Sequence, residues 1–293
     1  MGRMRVLVIS AVLASVLLGL MHRAEAKVPL LSREEDLELE RQLKILNKPP
    51  LISFKFAGIT TPNDGAHKFY GAQTVISVFN VAVVDNQTSV ASMWLGSDVE
   101  GPFNGLEYGW TSDGFKSTGC FNALCPGYVQ VSKRRVMGQA ERFVSTYAKT
   151  IYKRRFLLHK DTKSGNWWLS EYIANGTNEP VGYWPRELFP SMSDYAAMAQ
   201  FGGKVYSPPK VSPPAPMGSG HFVSNDFVRT CSASQIVFVE AFGQFYAPRD
   251  ADIQVVADVP DVYYVEYLGD ATRKHPRREF VVLFGGPDII IKH

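Results

Sequence analysis

Beyond about His67 the chain alternates between short hydrophobic segments and turn residues. The segments are rich in Val, Ile, Phe and Tyr, and 24 Gly and 18 Pro punctuate the chain. This pattern predicts an all-β domain of many short strands, either an antiparallel β-sandwich or a barrel. The predicted strands cover residues 70–84, 88–95, 128–132, 143–159, 166–173, 180–184, 235–242, 253–257, 262–268 and 279–284.

A short N-terminal helix is predicted by leucines that recur at helical spacing up to Leu46. Ser32 and Glu35 form a capping box at its start, and Pro49-Pro50 ends it. The helix is strongly charged, and a polar stretch separates it from the β region. It is therefore either a pro-segment that clips onto the domain or an ordinary structural helix.

One short internal helix is predicted inside the β region. Pro185 suits its first position, and apolar residues from Leu188 to Ala196 would form one face. Two stretches typical of loops follow, Phe201–Lys204 with its Gly pair and the proline-rich residues 207–220. They form either a rigid rim over a cleft or a plain surface connection, and the pattern alone favours the connection.

The first 26 residues have the three-part pattern of a secretory signal peptide. Arg3 and Arg5 give a basic start, residues 6–20 are largely apolar, and Ala24-Glu25-Ala26 is a small-x-small cleavage site. The alternative, an uncleaved membrane anchor, is disfavoured because this apolar run is shorter than the roughly 20 residues that cross a bilayer. We therefore expect a secreted, extracellular protein without a stable membrane anchor.

Cleavage after Ala26 would leave an N-terminal segment and linker, 27–66, and a β domain, 67–293. The signal peptide holds three Arg and one Glu, so its removal lowers the formal net charge from +3 to +1. Such a balance gives no argument for binding nucleic acid or anionic membranes. Local basic clusters such as Lys153-Arg154-Arg155 are interpreted as solvated strand ends rather than binding patches.

Secretion makes the cysteines and two Asn residues informative. Cys120 and Cys125 have a spacing that can close a local disulfide, and metal binding is the weaker interpretation because no His lies nearby. Cys231 is left over, as a buried thiol or as a site of intermolecular pairing. Asn86 and Asn175 begin glycosylation sequons.

The stretch Gly101–Gly127 concentrates the candidate chemistry. Glu107 lies between bulky neighbours in Leu-Glu-Tyr-Gly-Trp, so we expect it to be partly desolvated, as acid catalysts often are. The sequence has no GxSxG, HExxH, Walker loop or dinucleotide fingerprint. Ser219 and His221 are close in sequence, but no acid is identified with them, so they are weak candidates for a Ser/His site.

Six further stretches resemble the plant neprosin domain and occur in that family's order. They are HKFYGA (67–72), TGCFN with CPG (118–122 and 125–127), GNWWL (165–169), VGYWP (181–185), FGG (201–203) and PMGSGHF (216–222). The segment FGGP (284–287) closes the series, and the predicted N-terminal helix is similar to the family's activation segment. Three departures accompany the resemblance: shorter stretches after Trp110 and between Pro50 and His67, and a missing C-terminal cysteine pair. A diverged relative or an incomplete gene model would account for the shorter stretches.

The resemblance implies two packed antiparallel sheets and a secreted glutamic endopeptidase that cleaves at proline in acid. Two Glu side chains face each other across a groove in this mechanism. Because neighbouring carboxylates do not both ionise easily, one keeps a proton as general acid while the other activates water. The resemblance implies no metal and no other cofactor.

The resemblance places the first catalytic glutamate at Glu107. The second family glutamate follows a Gly-Gly pair, and this position is Lys204 here. An ammonium cannot share a proton with Glu107 as a second carboxylate would. We therefore expect the peptidase activity to be lost or severely impaired.

Two hypotheses follow for the function. The first is residual proline-directed peptidase activity that uses Glu107 and a carboxylate not identified from the sequence. The second is a non-catalytic extracellular protein that binds proline-rich peptides or cell-wall material through aromatics. For those aromatics, an ordinary place in the sandwich core is the favoured alternative. The aromatics considered are Trp167, Trp168, Tyr183 and Trp184.

Overall fold

The structure is a computed structural model that describes residues 54–84, 86–99, 101–111, 127–173, 176–271 and 279–288. The predicted signal peptide, the N-terminal helix, Cys120, Cys125 and Asn175 lie outside these residues. The described residues form fourteen strands: β1 (Lys55–Thr60), β2 (Gly71–Ser77), β3 (Thr88–Ser97), β4 (Asn104–Thr111), β5 (Val129–Gln130), β6 (Lys153–Lys160), β7 (Trp167–Tyr172), β8 (Asn178–Trp184), β9 (Met198–Tyr206), β10 (Cys231–Val239), β11 (Phe245–Tyr246), β12 (Gln254–Ala257), β13 (Tyr264–Gly269) and β14 (Val281–Gly285).

The strands form two antiparallel sheets that pack face to face. The smaller sheet has five strands in the order β12-β1-β9-β3-β4. The larger has nine, in the order β13-β14-β10-β2-β6-β7-β8-β5, with β11 paired to β10. The prediction of an all-β antiparallel sandwich is confirmed.

Strand alternation explains how the core forms. Ala91, Met93 and Leu95 of β3 are buried, whereas the intervening Ser92 and Trp94 belong to the other face of the same sheet. Most of the fully buried side chains from both sheets form one cluster between them, and Val281 and Leu283 of β14 belong to a smaller, separate cluster. The largest members of the main cluster are Trp167, Phe69, Phe156, Phe201, Phe284, Ile59, Ile76, Met93, Leu95, Leu158, Leu169 and Met192.

The predicted internal helix after Pro185 does not form an α-helix. Two 3-10 turns, Arg186–Leu188 and Pro190–Met192, occupy this segment instead. Pro190 accounts for the break, because a proline inside a helix removes a backbone donor and clashes with the preceding turn. Met192 is fully buried in the core cluster, so part of the apolar face predicted for this helix still packs against the domain.

Two segments predicted as loop or linker are strands. Residues 201–204, expected to be a loop because of their Gly pair, lie in the middle of β9. β1 precedes the predicted domain start at His67 and pairs with both β9 and β12, so the smaller sheet includes it. Both segments contribute buried residues to the core, such as Ile59 and Phe201.

Other sequence features can be located in the described residues. Cys231 is a free, fully buried thiol whose pKa burial raises, so the buried-thiol interpretation is confirmed. Asn86 is exposed in a turn before β3, and its glycosylation stays a prediction. In the part of the chain that the structure describes, no helix is long and apolar enough to span a membrane.

Candidate functional site

Three neighbouring strands of the smaller sheet carry the candidate site. Glu107 lies on β4 and Lys204 on β9, and β3 runs between these two strands. Residues that are 97 positions apart in sequence thus reach the same outward face of one sheet. The register places Trp94 of β3 opposite Glu107 and Val90 of β3 opposite Lys204.

A row of small residues crosses the sheet between these positions. Gly58, Gly202, Ser92 and Gly109 are cross-strand neighbours on β1, β9, β3 and β4. We call these four residues the small-residue row. A Cβ atom added at Gly202 would lie 2.7 Å from the Gly58 Cα, and one at Gly109 would lie 2.6 Å from the Ser92 Cα. Neighbouring backbones therefore leave no room for larger residues in this row.

Glu107 and Lys204 form an ion pair above the small-residue row. The Lys204 Nζ lies 2.6 Å from the Glu107 Oε2, and the Ser92 Oγ donates a hydrogen bond of 2.7 Å to the Glu107 Oε1. Ser92 is a diagonal neighbour of both charged residues, which explains how it reaches the carboxylate. The side chains of Lys204 and Glu107 are 25% and 31% exposed, so solvent still reaches the pair.

Aromatic rings surround the ammonium group. The Lys204 Nζ lies 5.0 Å from the ring centroid of Phe54 and 5.9 Å from that of Trp94, within the range of cation–π attraction. The Trp94 ring also packs edge-on against the Phe103 ring. The Phe54 ring packs at a tilt against the Tyr206 ring. The rings and Glu107 together hold the lysine in one orientation over the sheet.

The sequence neighbours of Glu107 do not desolvate it in the expected way. Leu106 and Tyr108 point to the opposite face of β4, where Leu106 is buried in the core. The Tyr108 hydroxyl donates to the Glu171 Oε1 at 2.5 Å, on the larger sheet. The surroundings of Glu107 are instead set by Ser92, Trp94 and Lys204, which come from other strands.

The other predicted candidates lie elsewhere. Trp167 is fully buried, while Trp168 and Tyr183 pack against each other on the larger sheet, away from Glu107. Ser219 donates to the Arg229 backbone carbonyl, and His221 bonds Asp288, so these two do not form a Ser/His pair.

Sequence reasoning missed Ser92, Trp94 and Phe54 as site residues. The alternation of Ser92 and Trp94 with buried β3 residues placed them on a common outward face, but nothing in the sequence shows that β3 lies between β4 and β9. Phe54 belongs to a segment predicted as linker. Ser92, Trp94 and Phe54 come close to Glu107 because of the order of the strands in the smaller sheet. The whole fold determines that order, not the local sequence.

The described residues do not offer a metal site. No three His, Cys, Asp or Glu side chains within the described ranges converge in a way that could hold an ion. Around Glu107 the described hydrogen-bond partners are a hydroxyl and an ammonium. Neither group resembles the oxygen-rich or imidazole-rich ligand sets that metals prefer.

Fold and site together define a class of protein: an antiparallel β-sandwich with a partly exposed charged pair on the outer face of its smaller sheet. The family model of Neprosin matches residues 102–287, more than half of the chain. The chain belongs to the Neprosin family and is a neprosin-type, peptidase-related protein. The matched region includes Glu107, Lys204 and Ser219. It begins at residue 102, so strands β1 and β3 lie before it.

Proposed function

We propose that this chain is a secreted neprosin-type protein in which the two-carboxylate chemistry of a glutamic endopeptidase is severely impaired. The observation that carries the proposal is the 2.6 Å ion pair between Lys204 and Glu107. A two-carboxylate mechanism needs one protonated group that donates and one ionised group that activates water. A charged lysine accepts no proton, so it cannot activate water, and it cannot share a proton with Glu107 as a second carboxylate would.

The contacts of Glu107 support the proposal further. Lys204 occupies the Oε2 atom and Ser92 the Oε1 atom. A water molecule that Glu107 is to activate must donate a hydrogen bond to one of these oxygens, and each oxygen already accepts one from a protein donor. Lys204 and Ser92 therefore compete with such a water for the lone pairs of the carboxylate.

A second candidate function is binding of proline-rich peptides without turnover. The rings of Phe54, Trp94, Phe103 and Tyr206 favour it, because aromatic surfaces dock the preformed polyproline II helix at low entropic cost. These rings replace the aromatics predicted from sequence as the candidate peptide-binding surface.

Hydrolysis of a proline-containing peptide tests the first candidate. The purified mature protein and its Glu107→Gln variant are compared at acid and neutral pH. We expect turnover near the background rate for both, because the wild-type protein lacks a second carboxylate. Fast wild-type cleavage that disappears in Glu107→Gln would refute the impaired-site proposal.

Equilibrium binding of the same peptide tests the second candidate. Trp94→Ala should weaken binding about tenfold, since a stacking ring is lost. Trp168→Ala on the larger sheet is the matched control and should change affinity little. A peptide that binds both variants and the wild type equally would show that the aromatic rings near Lys204 do not form the binding surface.

Secretion is a separate part of the proposal, and it is supported by the pattern of residues 1–26. Expression of the full chain in a eukaryotic secretory host should release a protein whose N-terminus is Lys27. Retention of the uncleaved chain in the membrane fraction would favour the anchor alternative.

A further inference from the structure

The outer face of the larger sheet carries an aromatic platform that the proposed function does not use. Trp168 on β7 and Tyr183 on β8 are directly opposite each other, with ring centroids 4.8 Å apart and ring planes inclined by 34°. Both rings are partly exposed. Val129 of β5 lies opposite Tyr183 and is also exposed, so apolar surface continues to the next strand.

Polar groups lie further along the same face. The Arg155 guanidinium lies 5.2 Å from the ring centroid of Tyr172 and donates a hydrogen bond to the Gln235 Oε1. Arg155 and His159 are four positions apart on β6, and His159 pairs with Trp168, so the arginine and the platform are about 13 Å apart along the strand. This distance suits a ligand of several repeating units rather than a single small molecule.

An irregular strand positions the glutamine. Gln235 has a φ of 53°, in the left-handed region that non-glycine residues seldom adopt. It lies in a bulge of β10 between Ser234 and Val237, and bulges re-aim side chains. The bulge directs the Gln235 amide to Arg155, and the amide in turn orients the guanidinium.

The charge of this face is positive over β6, β7 and β8. Lys153 and Arg155 are the outward-facing charged residues of these three strands. The carboxylates of the same strands face inward, where Glu171 bonds Tyr108 and Glu179 bonds Ser132. An anionic group can therefore approach Arg155 without meeting a carboxylate from these strands.

We propose that this face binds an acidic polysaccharide built from uronic acid units. The C–H faces of pyranose rings carry partial positive charge and pack on the negative faces of aromatic rings, here Trp168 and Tyr183. A uronate carboxylate matches the fork of N–H donors on Arg155. An acidic peptide would bind the arginine but has no sugar ring to pack on Trp168 and Tyr183. The observations therefore favour the polysaccharide.

Affinity electrophoresis of the purified protein in gels that contain polygalacturonate tests the proposal. We expect retardation of the wild type, and an apparent affinity about tenfold lower for Trp168→Ala and for Arg155→Gln. Trp94→Ala is the matched control because it removes the same residue type from the other sheet, and it should migrate as the wild type does. Methyl-esterified polygalacturonate, which lacks the carboxylates, should bind more weakly than the acid form.

Three outcomes would overturn the proposal: no retardation of the wild type, equal retardation by poly-L-glutamate, or a loss of retardation in Trp94→Ala that Trp168→Ala does not show. Tyr183→Ala and Trp168→Phe separate a binding effect from a folding defect. Tyr183→Ala should weaken retardation as Trp168→Ala does, whereas Trp168→Phe, which keeps a ring, should preserve most of it. Retardation that is unchanged in folded Tyr183→Ala would also contradict the proposal.

Discussion

At the scale of single residues, Lys204 decides the chemistry of the site. It changes a position expected to carry a carboxylate into one that carries an ammonium, and it contacts Glu107 directly. Aromatic rings on either side reinforce this placement. The ammonium attracts Glu107 but cannot share a proton with it as a second carboxylate would.

The strength of this pair can be measured by a double-mutant cycle. Glu107→Gln, Lys204→Gln and the double variant are compared by urea unfolding. Because both side chains are partly exposed, we expect a coupling free energy of only about 1 kcal/mol. The coupling should decrease at high salt, since screening weakens exposed ion pairs. A coupling near zero at low salt would contradict the ion pair seen here.

At the scale of elements, sequence patterns identify poorly two of the three strands that carry the site, β4 and β9. β4 and β9 place glycine at several outward positions, so their hydrophobic alternation is interrupted. Gly202-Gly203 in β9 consequently has the composition of a loop. The structure shows the physical reason for Gly109 and Gly202, which is close approach of neighbouring backbones in the small-residue row, whereas a Cβ at Gly203 would meet the Met217 and Phe284 side chains.

Gly202→Ala should destabilise the protein by about 1–3 kcal/mol, the usual cost of overpacking. Its Cβ would meet the Gly58 backbone across the β1–β9 pair. Urea unfolding measures the effect, and Gln200→Ala is the control because it lies on the same strand and face and already has a Cβ. Equal stability of Gly202→Ala and the wild type would show that the sheet tolerates side chains in this row.

A tyrosine near the site helps to join the two sheets through a hydrogen bond. Tyr108 of β4 donates to the buried Glu171 of β7 at 2.5 Å, and burial together with this carboxylate raises the pKa of Tyr108 well above its ordinary value. Tyr108→Phe should lower the free energy of unfolding by about 1–3 kcal/mol, because a buried carboxylate loses a donor. Tyr264→Phe, at a half-exposed position, should change it by much less. Similar losses in the two variants would argue against a special role for the cross-sheet bond.

At the scale of the whole molecule, stability should depend on pH through His159. Burial lowers the pKa of His159, and its Nδ1 has no hydrogen-bond partner within the described residues. The unfolded chain takes up a proton below about pH 6.5, whereas the folded protein resists it until a lower pH. Stability is therefore fully present above pH 6.5 and falls as the pH decreases towards the folded pKa.

His159→Leu should remove this dependence. Free energies of unfolding measured between pH 7.5 and pH 5 should vary less for the variant than for the wild type. Asp64 is exposed and Asp161 and Asp252 are partly exposed; hydrogen bonds lower the pKa values of these three carboxyl groups, so they affect stability only at more acidic pH. Parallel pH profiles for the variant and the wild type would contradict the assignment to His159.

The sequence allowed much of the architecture to be predicted, but only part of the site. Alternation in segments such as 88–95 and 166–173 located strands, because packing against a single core imposes that period. Resemblance to a known family paired Glu107 with Lys204, and the structure places these residues in contact. Ser92, Trp94 and Phe54 could not be predicted in the same way, since their proximity depends on strand order rather than on local pattern. The α-helix predicted after Pro185 does not form, because Pro190 interrupts the segment.

If Lys204 prevents two-carboxylate catalysis, a carboxylate introduced at position 204 should restore cleavage. Cleavage of a proline-containing peptide is measured at acid pH for Lys204→Glu, Lys204→Gln and the double variant Lys204→Glu with Glu107→Gln. We expect Lys204→Glu to cleave the peptide about 100-fold or more faster than Lys204→Gln, and the double variant to lose this gain. A folded Lys204→Glu protein no faster than Lys204→Gln, or a gain that survives loss of Glu107, would contradict this prediction.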